Sequence, residues 1–473
     1  MSALARKKII KAGIGYTVGN YLLKGLSFLT LPIFSRLMTT ADYGLYNVFI
    51  TYQSILYIIL GIAIHSSYKN AKYKYGERFN EYISNSMVII IGNTLMLAIL
   101  GNVAYKCNLS FGISNIFLLN CIILYSMANA VITCFNNYLS LSYQYKAYLK
   151  LALTNAIMNI LISIILMFSC MNSNRAYARI IGTVIPSVVF AFVIIIYFFK
   201  QSKPRINREY SKFAINFSGP IVAHGISQVI LSSFDRIMIN IMIGTIEAGI
   251  YSFAYNIFMI IQVTADSILV VWDTWFYEQY SKQKYELIKK YSTYLIVALA
   301  IVSSLVLFIT PELIYILGGE KYRSSVYCAI PIILGGFLTI LYNFPAEIEY
   351  FHAKTKNIAI ATIFAAIINI LLNYIFIRKY GYIAAAYTTL VTYIFYFIFH
   401  YIVAQRIQKE KVFTNNAFLV GGLLVFAAGM LTLFLVKVWL MRWFMAGIEL
   451  LICIVIVVRN LGLKNICVFI KRL

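Results

Sequence analysis

The chain has 473 residues, of which 61% are hydrophobic and only 12% are charged. Its mean hydropathy of +0.81 excludes a soluble globular domain and predicts a protein that lies in a lipid bilayer. Lys and Arg outnumber Asp and Glu by 40 to 16, which gives a net charge of +24. Because the basic residues form short tracts between apolar spans, we interpret them as topology signals that face anionic lipid, and we expect no nucleic-acid partner.

The N-terminus, MSALARKKIIKAG, is basic and leads into an apolar span without a small-residue cleavage site. We therefore interpret this segment as a retained first helix and not as a signal peptide. The seven cysteines of the chain form no CxxC pair and have no His at ligand spacing. We expect them to be small packing residues, and we predict no disulfide, metal site or cofactor.

Windows long enough to cross the hydrocarbon predict an all-α integral membrane protein with fourteen transmembrane helices. Basic residues are about three times as frequent on one side of these spans as on the other, which places both termini in the cytoplasm. The loops on the opposite side are short, so we expect no extramembrane domain. The predicted spans cover residues 12–35, 44–64, 82–105, 113–135, 151–171, 177–199, 213–240, 247–270, 292–310, 323–345, 358–377, 382–403, 416–436 and 443–458.

Two pairs of segments indicate an internal duplication. LMTTADYGLY at 37–46 is similar to MIGTIEAGIY at 242–251, and NAIMNILI at 155–162 is similar to AAIINILL at 365–372. In a membrane protein, such a repeat is typical of two helical bundles that rock about a central site, as in transporters. We predict a six-helix lobe over 1–212, a second six-helix lobe over 213–403, and an accessory helix pair with a cytoplasmic tail over 404–473.

Three blocks of sequence carry a resemblance to a known family. DRIMINIMIGTIEAGIYSFAYNI at 235–257 resembles the signature block of bacterial polysaccharide flippases, and LPIFSRLMTTADYGLYNVF at 31–49 resembles their first-repeat block. RKYGYIAAAYTTL at 378–390 is similar to their stretch between helices eleven and twelve. The chain is therefore identified as a member of the O-antigen (Wzx-type) lipid-linked oligosaccharide flippases, within the superfamily that also contains multidrug and toxin extruders.

The resemblance implies a multi-pass protein of the bacterial cytoplasmic membrane. It implies that the protein moves an undecaprenyl-diphosphate-linked oligosaccharide across this membrane by alternating access, for O-antigen or capsule biosynthesis. Membrane lipids, a polysaccharide polymerase and a chain-length regulator are the further partners it implies. The sequence contains no GxxxxGK motif and no large outside loop, so we expect no enzymatic activity, and a polymerase or ligase is the weaker alternative.

Lys24 is the most informative charged residue, because it lies near the middle of the first predicted span. An ammonium group costs about 3 kcal/mol or more at this depth, so a functional partner is expected. We interpret Lys24 as a cation that binds the substrate diphosphate. In the alternative reading, the helix begins later or the side chain reaches a headgroup.

The seventh predicted span contains three further candidates. Arg236 contacts phosphate or sugar in one interpretation, with Asp235 orienting it; in the other, both form an interfacial charge pair that ends the helix. His224 is a candidate for a proton-coupled step, or a hydrogen-bonded packing residue.

Asp266 in the eighth predicted span either binds a coupling cation or pairs with a basic side chain. Asn159 and Asn369 occupy equivalent places in the repeats and, with Asn155 and Asn373, suit either sugar hydroxyls or interhelical hydrogen bonds.

The remaining carboxylates suggest no clear role in transport. We expect Glu347 and Glu349 to be solvated, and we leave open whether Glu449 pairs with Lys437 or Arg442 or marks a contact of the accessory helix. Asp42 and Glu247 are expected in the first turns of their helices, where an acid suits the helix dipole.

A second hypothesis for function is a cation-coupled drug or metabolite antiporter of the same superfamily. Such a protein needs an acidic cavity for its cationic substrate. Lys24 and Arg236 favour an anionic lipid-linked substrate, whereas Asp235 and Asp266 favour the antiporter.

Overall fold

The computed structural model describes residues 3–461, with side chains for residue 13 and for residues 15–455. All regular elements in this range are helices, which confirms the predicted all-α membrane fold. The seventeen α-helices are α1 (Ala3–Leu37), α2 (Thr40–Gly61), α3 (Tyr68–Tyr75), α4 (Phe79–Lys106), α5 (Ile116–Leu141), α6 (Tyr145–Phe168), α7 (Arg175–Gln201), α8 (Arg208–Ser233), α9 (Asp235–Met242), α10 (Thr245–Ser281), α11 (Tyr285–Gly318), α12 (Val326–Leu341), α13 (Asn343–Phe351), α14 (Thr355–Tyr380), α15 (Ile383–Ile407), α16 (Asn415–Phe434) and α17 (Trp439–Leu461).

Among the described residues, 12 helical segments are long and apolar enough to cross a membrane, which makes this a multi-pass membrane protein. Short 3₁₀ turns join α3 to its neighbours and precede α12. The predicted first and last spans correspond to α1 and α17, which extend into residues whose side chains are not described. The total of fourteen spans therefore stays a prediction, and Cys467 lies outside the described residues.

Helix starts follow from local sequence. Thr39 caps α2 because its hydroxyl accepts a hydrogen bond from the Asp42 backbone N–H at 3.0 Å. The Asp42 carboxylate accepts one from the Thr39 backbone N–H at 3.1 Å, which completes a capping box. Glu247 lies in the first turn of α10, the equivalent position of the second repeat. Both acids therefore begin helices, as the sequence predicts.

The described residues group into two compact units. The first contains the chain up to Ser252 together with Ile370–Tyr382, and the second contains Phe253–Asn369 and the chain from Ile383 onward. In the first unit α6 packs against α1 and α7, and α2 packs against α5. In the second unit α11 packs against α16, and α12 packs against α15. The duplicated lobes 1–212 and 213–403 and the accessory segment 404–473 stay predictions from the sequence.

A buried aromatic cluster stabilises one end of the first unit. Tyr68 and Tyr82 are fully buried, and the Tyr82 hydroxyl lies 2.6 Å from that of Ser67. Tyr75 stacks on Tyr82 with ring centroids 5.5 Å apart. These rings pack against each other with their polar tips hydrogen-bonded or enclosed, so we assign them to the core and not to sugar binding.

Candidate functional site

The first unit contains a cationic cluster around Arg179 of α7. Its guanidinium Nη1 donates hydrogen bonds to Asn159 Oδ1 at 2.7 Å and to Ser163 Oγ at 3.0 Å, both on α6. The guanidinium carbon lies 3.7 Å from the centroid of the Phe34 ring and 5.1 Å from that of Tyr46. Hydrogen bonds and two aromatic faces together stabilise this half-buried cation within the span.

A second cluster has the opposite charge and surrounds Asp235 at the start of α9. Asp235 is fully buried, and its carboxylate accepts hydrogen bonds from Tyr251 Oη at 2.5 Å and from Asn373 Nδ2 at 2.7 Å. Tyr251 is the last residue of the duplicated block in α10, and Asn373 lies on α14. The structure therefore brings three elements of the second repeat together on one predicted functional carboxylate.

One hydrogen bond recurs in both repeats. Thr183 Oγ1 donates to Asn159 Oδ1 at 3.2 Å between α7 and α6, and Asn369 Nδ2 donates to Thr389 Oγ1 at 3.0 Å between α14 and α15. Asn369 is fully buried. Both amides thus join neighbouring helices. Interhelical hydrogen bonding is one of the two roles that the sequence left open for these residues, and sugar binding is the other. Any contact of Asn159 or Asn369 with sugar stays a prediction.

Lys24 lies on α1, thirteen residues before its end at Leu37, which is about 20 Å along the helix axis. The helix contacts α6 through Gly15 and Gly19, where an added Cβ would meet Tyr145 and Leu149 side chains. Lys24 is five residues beyond Gly19, about 140° around the helix, so its half-buried side chain leaves the face that contacts α6.

The other predicted residues lie on separate elements. Arg236 is half-buried and follows Asp235 on α9, where a break after Ser233 separates α8 from α9. His224 is half-buried on α8, and its Nδ1 is buried without a hydrogen-bond partner. Asp266 is half-buried on α10 in the second unit. Among the described residues no group of His, Cys, Asp and Glu could hold a metal ion.

The expectation that Glu347 and Glu349 are solvated is wrong, because both are buried and Glu349 pairs with His400 at 2.5 Å. The open question on Glu449 is answered by its contact with another helix: it accepts a hydrogen bond from Ser304 of α11, while Arg442 pairs with Glu312. His400 and Ser304 are both remote in sequence from the carboxylates that they contact.

Sequence reasoning missed Arg179 as an intramembrane charge. It lies near the beginning of the predicted sixth span, where a basic residue is usually read as an interfacial topology signal. The sequence did contain a signal for this residue. Arg179 lies one turn before Thr183 on a polar stripe of α7, and Asn159 and Ser163 form a similar stripe on α6, so the two stripes could have been predicted to face each other. Nothing in the sequence indicated that Tyr251 donates a hydrogen bond to Asp235. Both copies of the duplicated block contain a Tyr, so the residue reads as part of the repeat and not as a partner of Asp235.

The chain is similar to other proteins and to solved structures along most of its length. It is 21% identical over 378 residues to Lsg locus putative protein 1 of Haemophilus influenzae, covering 76% of this chain and 89% of that protein. The structure resembles the lipid II flippase MurJ in an inward closed conformation, with 16% identity, a TM-score of 0.70, and 95% of this chain and 99% of that one covered.

A multidrug resistance transporter of the MATE family, in an inward-facing conformation, has the same fold. It is 16% identical, with a TM-score of 0.57 over 82% of this chain and 96% of that one. The family model described as polysaccharide biosynthesis protein matches residues 9–272, more than half of the chain. The family resemblance drawn from the three sequence blocks is therefore confirmed, and the chain belongs to the polysaccharide biosynthesis protein family.

Proposed function

We propose that this protein is a flippase for a lipid-linked oligosaccharide in surface polysaccharide biosynthesis. The observation that carries the proposal is the family match over residues 9–272, together with a fold shared with a lipid II flippase over 95% of the chain. The substrate is an undecaprenyl-diphosphate-linked repeat unit of O-antigen or capsule. The protein works without enzymatic chemistry, by alternating access of its duplicated lobes.

Lys24 is the residue that we assign to the diphosphate. Its position about 20 Å from the end of α1 lies within the thickness of the hydrocarbon, where a basic residue is costly and marks a candidate functional site. A polar diphosphate with a lipid tail left in the bilayer is a chemically suitable partner. The turning of Lys24 away from α6 supports this assignment.

Arg236 is assigned to a later contact with phosphate or sugar, with Asp235 orienting it. Asp235 is held by Tyr251 and Asn373, so its position at the start of α9 is fixed by two other helices. Because the Asp235 side chain is fixed, the backbone of α9 is also fixed at the neighbouring Arg236. The half-buried guanidinium of Arg236 can then reach a ligand from a defined position. Asp266 and His224 are assigned to coupling, as the sequence suggests.

The orientation follows the charge pattern of the sequence. Both termini face the cytoplasm of a bacterial cell, because basic tracts are enriched in the segments on that side. The substrate therefore moves from the cytoplasmic leaflet to the outer leaflet. A polymerase and a chain-length regulator act on it there as the next partners.

Deletion and complementation test this function. The gene is deleted in its host, the full chain is returned on a plasmid, and surface polysaccharide is measured beside lipid-linked precursor. We expect deletion to abolish the surface polysaccharide and to accumulate precursor on the cytoplasmic side, with both restored by the plasmid. Unchanged surface polysaccharide in the deletion strain would contradict the proposal.

A cation-coupled antiporter is the second candidate, and the buried Asp235 together with the MATE-like fold favours it. This candidate predicts that the deletion strain becomes sensitive to cationic drugs while its surface polysaccharide is unaltered. The two functions therefore give opposite results in the same strain.

A further inference from the structure

A Glu–His pair lies inside the second unit, apart from the residues assigned to substrate. Glu349 of α13 and His400 of α15 are both fully buried, and His400 Nδ1 lies 2.5 Å from Glu349 Oε1. The other two polar atoms, Glu349 Oε2 and His400 Nε2, are buried and have no hydrogen-bond partner in the described structure. Two of the four polar side-chain atoms of this pair are thus available to hydrogen-bond another group.

Aromatic rings enclose the pair. The His400 ring centroid lies 4.5 Å from that of Tyr396 and 5.3 Å from that of Tyr342. The Tyr396 hydroxyl lies 3.1 Å from that of Thr362 on α14. The titratable groups around the pair are Tyr342, which follows α12, Tyr350 on α13 and Tyr396 on α15. The neighbouring polar group from α14 is Thr362, which does not titrate.

The charge of such a pair depends on one proton. With that proton, the pair is neutral overall, as imidazolium and carboxylate or as imidazole and carboxylic acid. Without it, neutral imidazole and carboxylate leave one negative charge in a dry, apolar site. Because an uncompensated buried charge is costly, the packed state of α13 against α15 favours the protonated pair.

We propose that Glu349 and His400 form a proton-binding site and that release of the bound proton loosens α13 from α15. In the release step the shared proton leaves His400 and Glu349 for water, and no other bond changes. Proton binding stands by itself, whereas control of translocation by this proton rests on the proposed flippase function.

Infrared difference spectroscopy of the full chain in lipid nanodiscs tests proton binding directly. Spectra from pH 4 to pH 9 report protonated carboxyl groups in a region free of carboxylate bands. We expect wild type to lose a carboxyl or imidazolium signal as pH rises, E349Q and H400Q to lack this change, and E320Q to retain it. Glu320 is the matched control, because it is exposed and pairs with Arg323. A titration that persists in both E349Q and H400Q would overturn the proposal.

Hydrogen–deuterium exchange of wild type tests the loosening without any variant that could misfold. We expect exchange in 343–351 and 394–407 to rise over the same pH interval as the infrared change, after correction for the intrinsic pH dependence measured on unfolded peptides. Protection that stays constant through the infrared transition would overturn the loosening of α13.

Complementation then separates this proposal from the function on which its last step rests. If E349Q and H400Q fold but fail to restore surface polysaccharide, the proton controls translocation. If both restore it fully while lacking the infrared change, the control of translocation is refuted and the flippase stands. If the deletion strain keeps its polysaccharide, the flippase function is refuted, and the spectroscopic result still decides proton binding.

Discussion

Gly44 of α2 and Gly249 of α10 lie in reciprocal contact at the point where the two duplicated blocks cross. A Cβ on Gly44 would lie 1.9 Å from the Thr245 carbonyl oxygen, and a Cβ on Gly249 would lie 2.0 Å from the Thr40 carbonyl oxygen. Each helix therefore approaches the backbone of the other at the same residue of the repeat. Close approach of helix backbones at small residues is a common way to stabilise helix pairs in membranes.

Substitution of either glycine should separate these helices. We expect Gly44→Ala and Gly249→Ala each to destabilise the protein by about 1–3 kcal/mol, because the added methyl group meets backbone and not a flexible side-chain tip. Thermal unfolding in detergent measures the effect. Gly92→Ala on α4 is the control, because nothing lies within 4 Å of its added Cβ. Equal unfolding temperatures for all three variants would refute the reciprocal contact.

Arg179 should stabilise the first unit without acting on the substrate. Arg179→Ala removes the donor to Asn159 and Ser163 and the cation above Phe34, so we expect a loss of about 1–3 kcal/mol. The exposed Arg205→Ala is the matched control. Surface polysaccharide per molecule of folded protein should stay at the wild-type value. A specific loss of transport at normal protein level would instead make Arg179 a substrate residue.

Asp235 should be intolerant of amide substitution. In Asp235→Asn the negative charge and one of the two acceptor oxygens are lost, so either the Tyr251 hydroxyl must turn from donor to acceptor or the Asn373 amide must face a second donor. We expect about 1–3 kcal/mol of destabilisation, and less for Tyr251→Phe, which removes one donor. Glu286→Gln, at an exposed ion pair with Lys289, serves as the control for thermal unfolding. An Asp235→Asn protein as stable as this control would contradict the buried cluster.

Two Arg–Glu pairs of the second unit allow a direct comparison of buried and exposed ion pairs. Arg442 of α17 is 1% exposed and binds Glu312 of α11, and it also donates to backbone oxygens that include Phe308 O at 2.7 Å. Arg323 and Glu320 are both 67% exposed. We expect Arg442→Ala to cost about 3–5 kcal/mol and Arg323→Ala under about 1 kcal/mol. Similar unfolding temperatures for the two variants would contradict a buried tie between α11 and α17.

Lys24 should be required for transport and replaceable only by another cation. In the deletion strain, we expect Lys24→Ala at normal abundance to lose surface polysaccharide and to accumulate precursor, and Lys24→Arg to restore part of it, because the diphosphate requires positive charge at this depth. Lys106→Ala, at the exposed end of α4, is the control. Full polysaccharide in the Lys24→Ala strain would remove Lys24 from the substrate path.

The sequence by itself determined the membrane class, the repeat, the family and the starts of α2 and α10. Hydropathy and helix caps act over a single span or turn, so they can be read from neighbouring residues. Asp235 was recognisable as a functional candidate for a similar reason, because a carboxylate within an apolar span is costly. None of these signals depends on which helices are neighbours.

Only the tertiary structure decided the partners of these residues. Asn373 reaches Asp235 from 138 positions away in the chain, and His400 reaches Glu349 from 51 positions away. Such pairings depend on the rotation of each helix about its axis and on which helices pack together, since a side chain contacts only what its own face meets. Glu349 therefore reads as a solvated residue at a helix end in the sequence, whereas packing of α13 against α15 buries it beside a histidine.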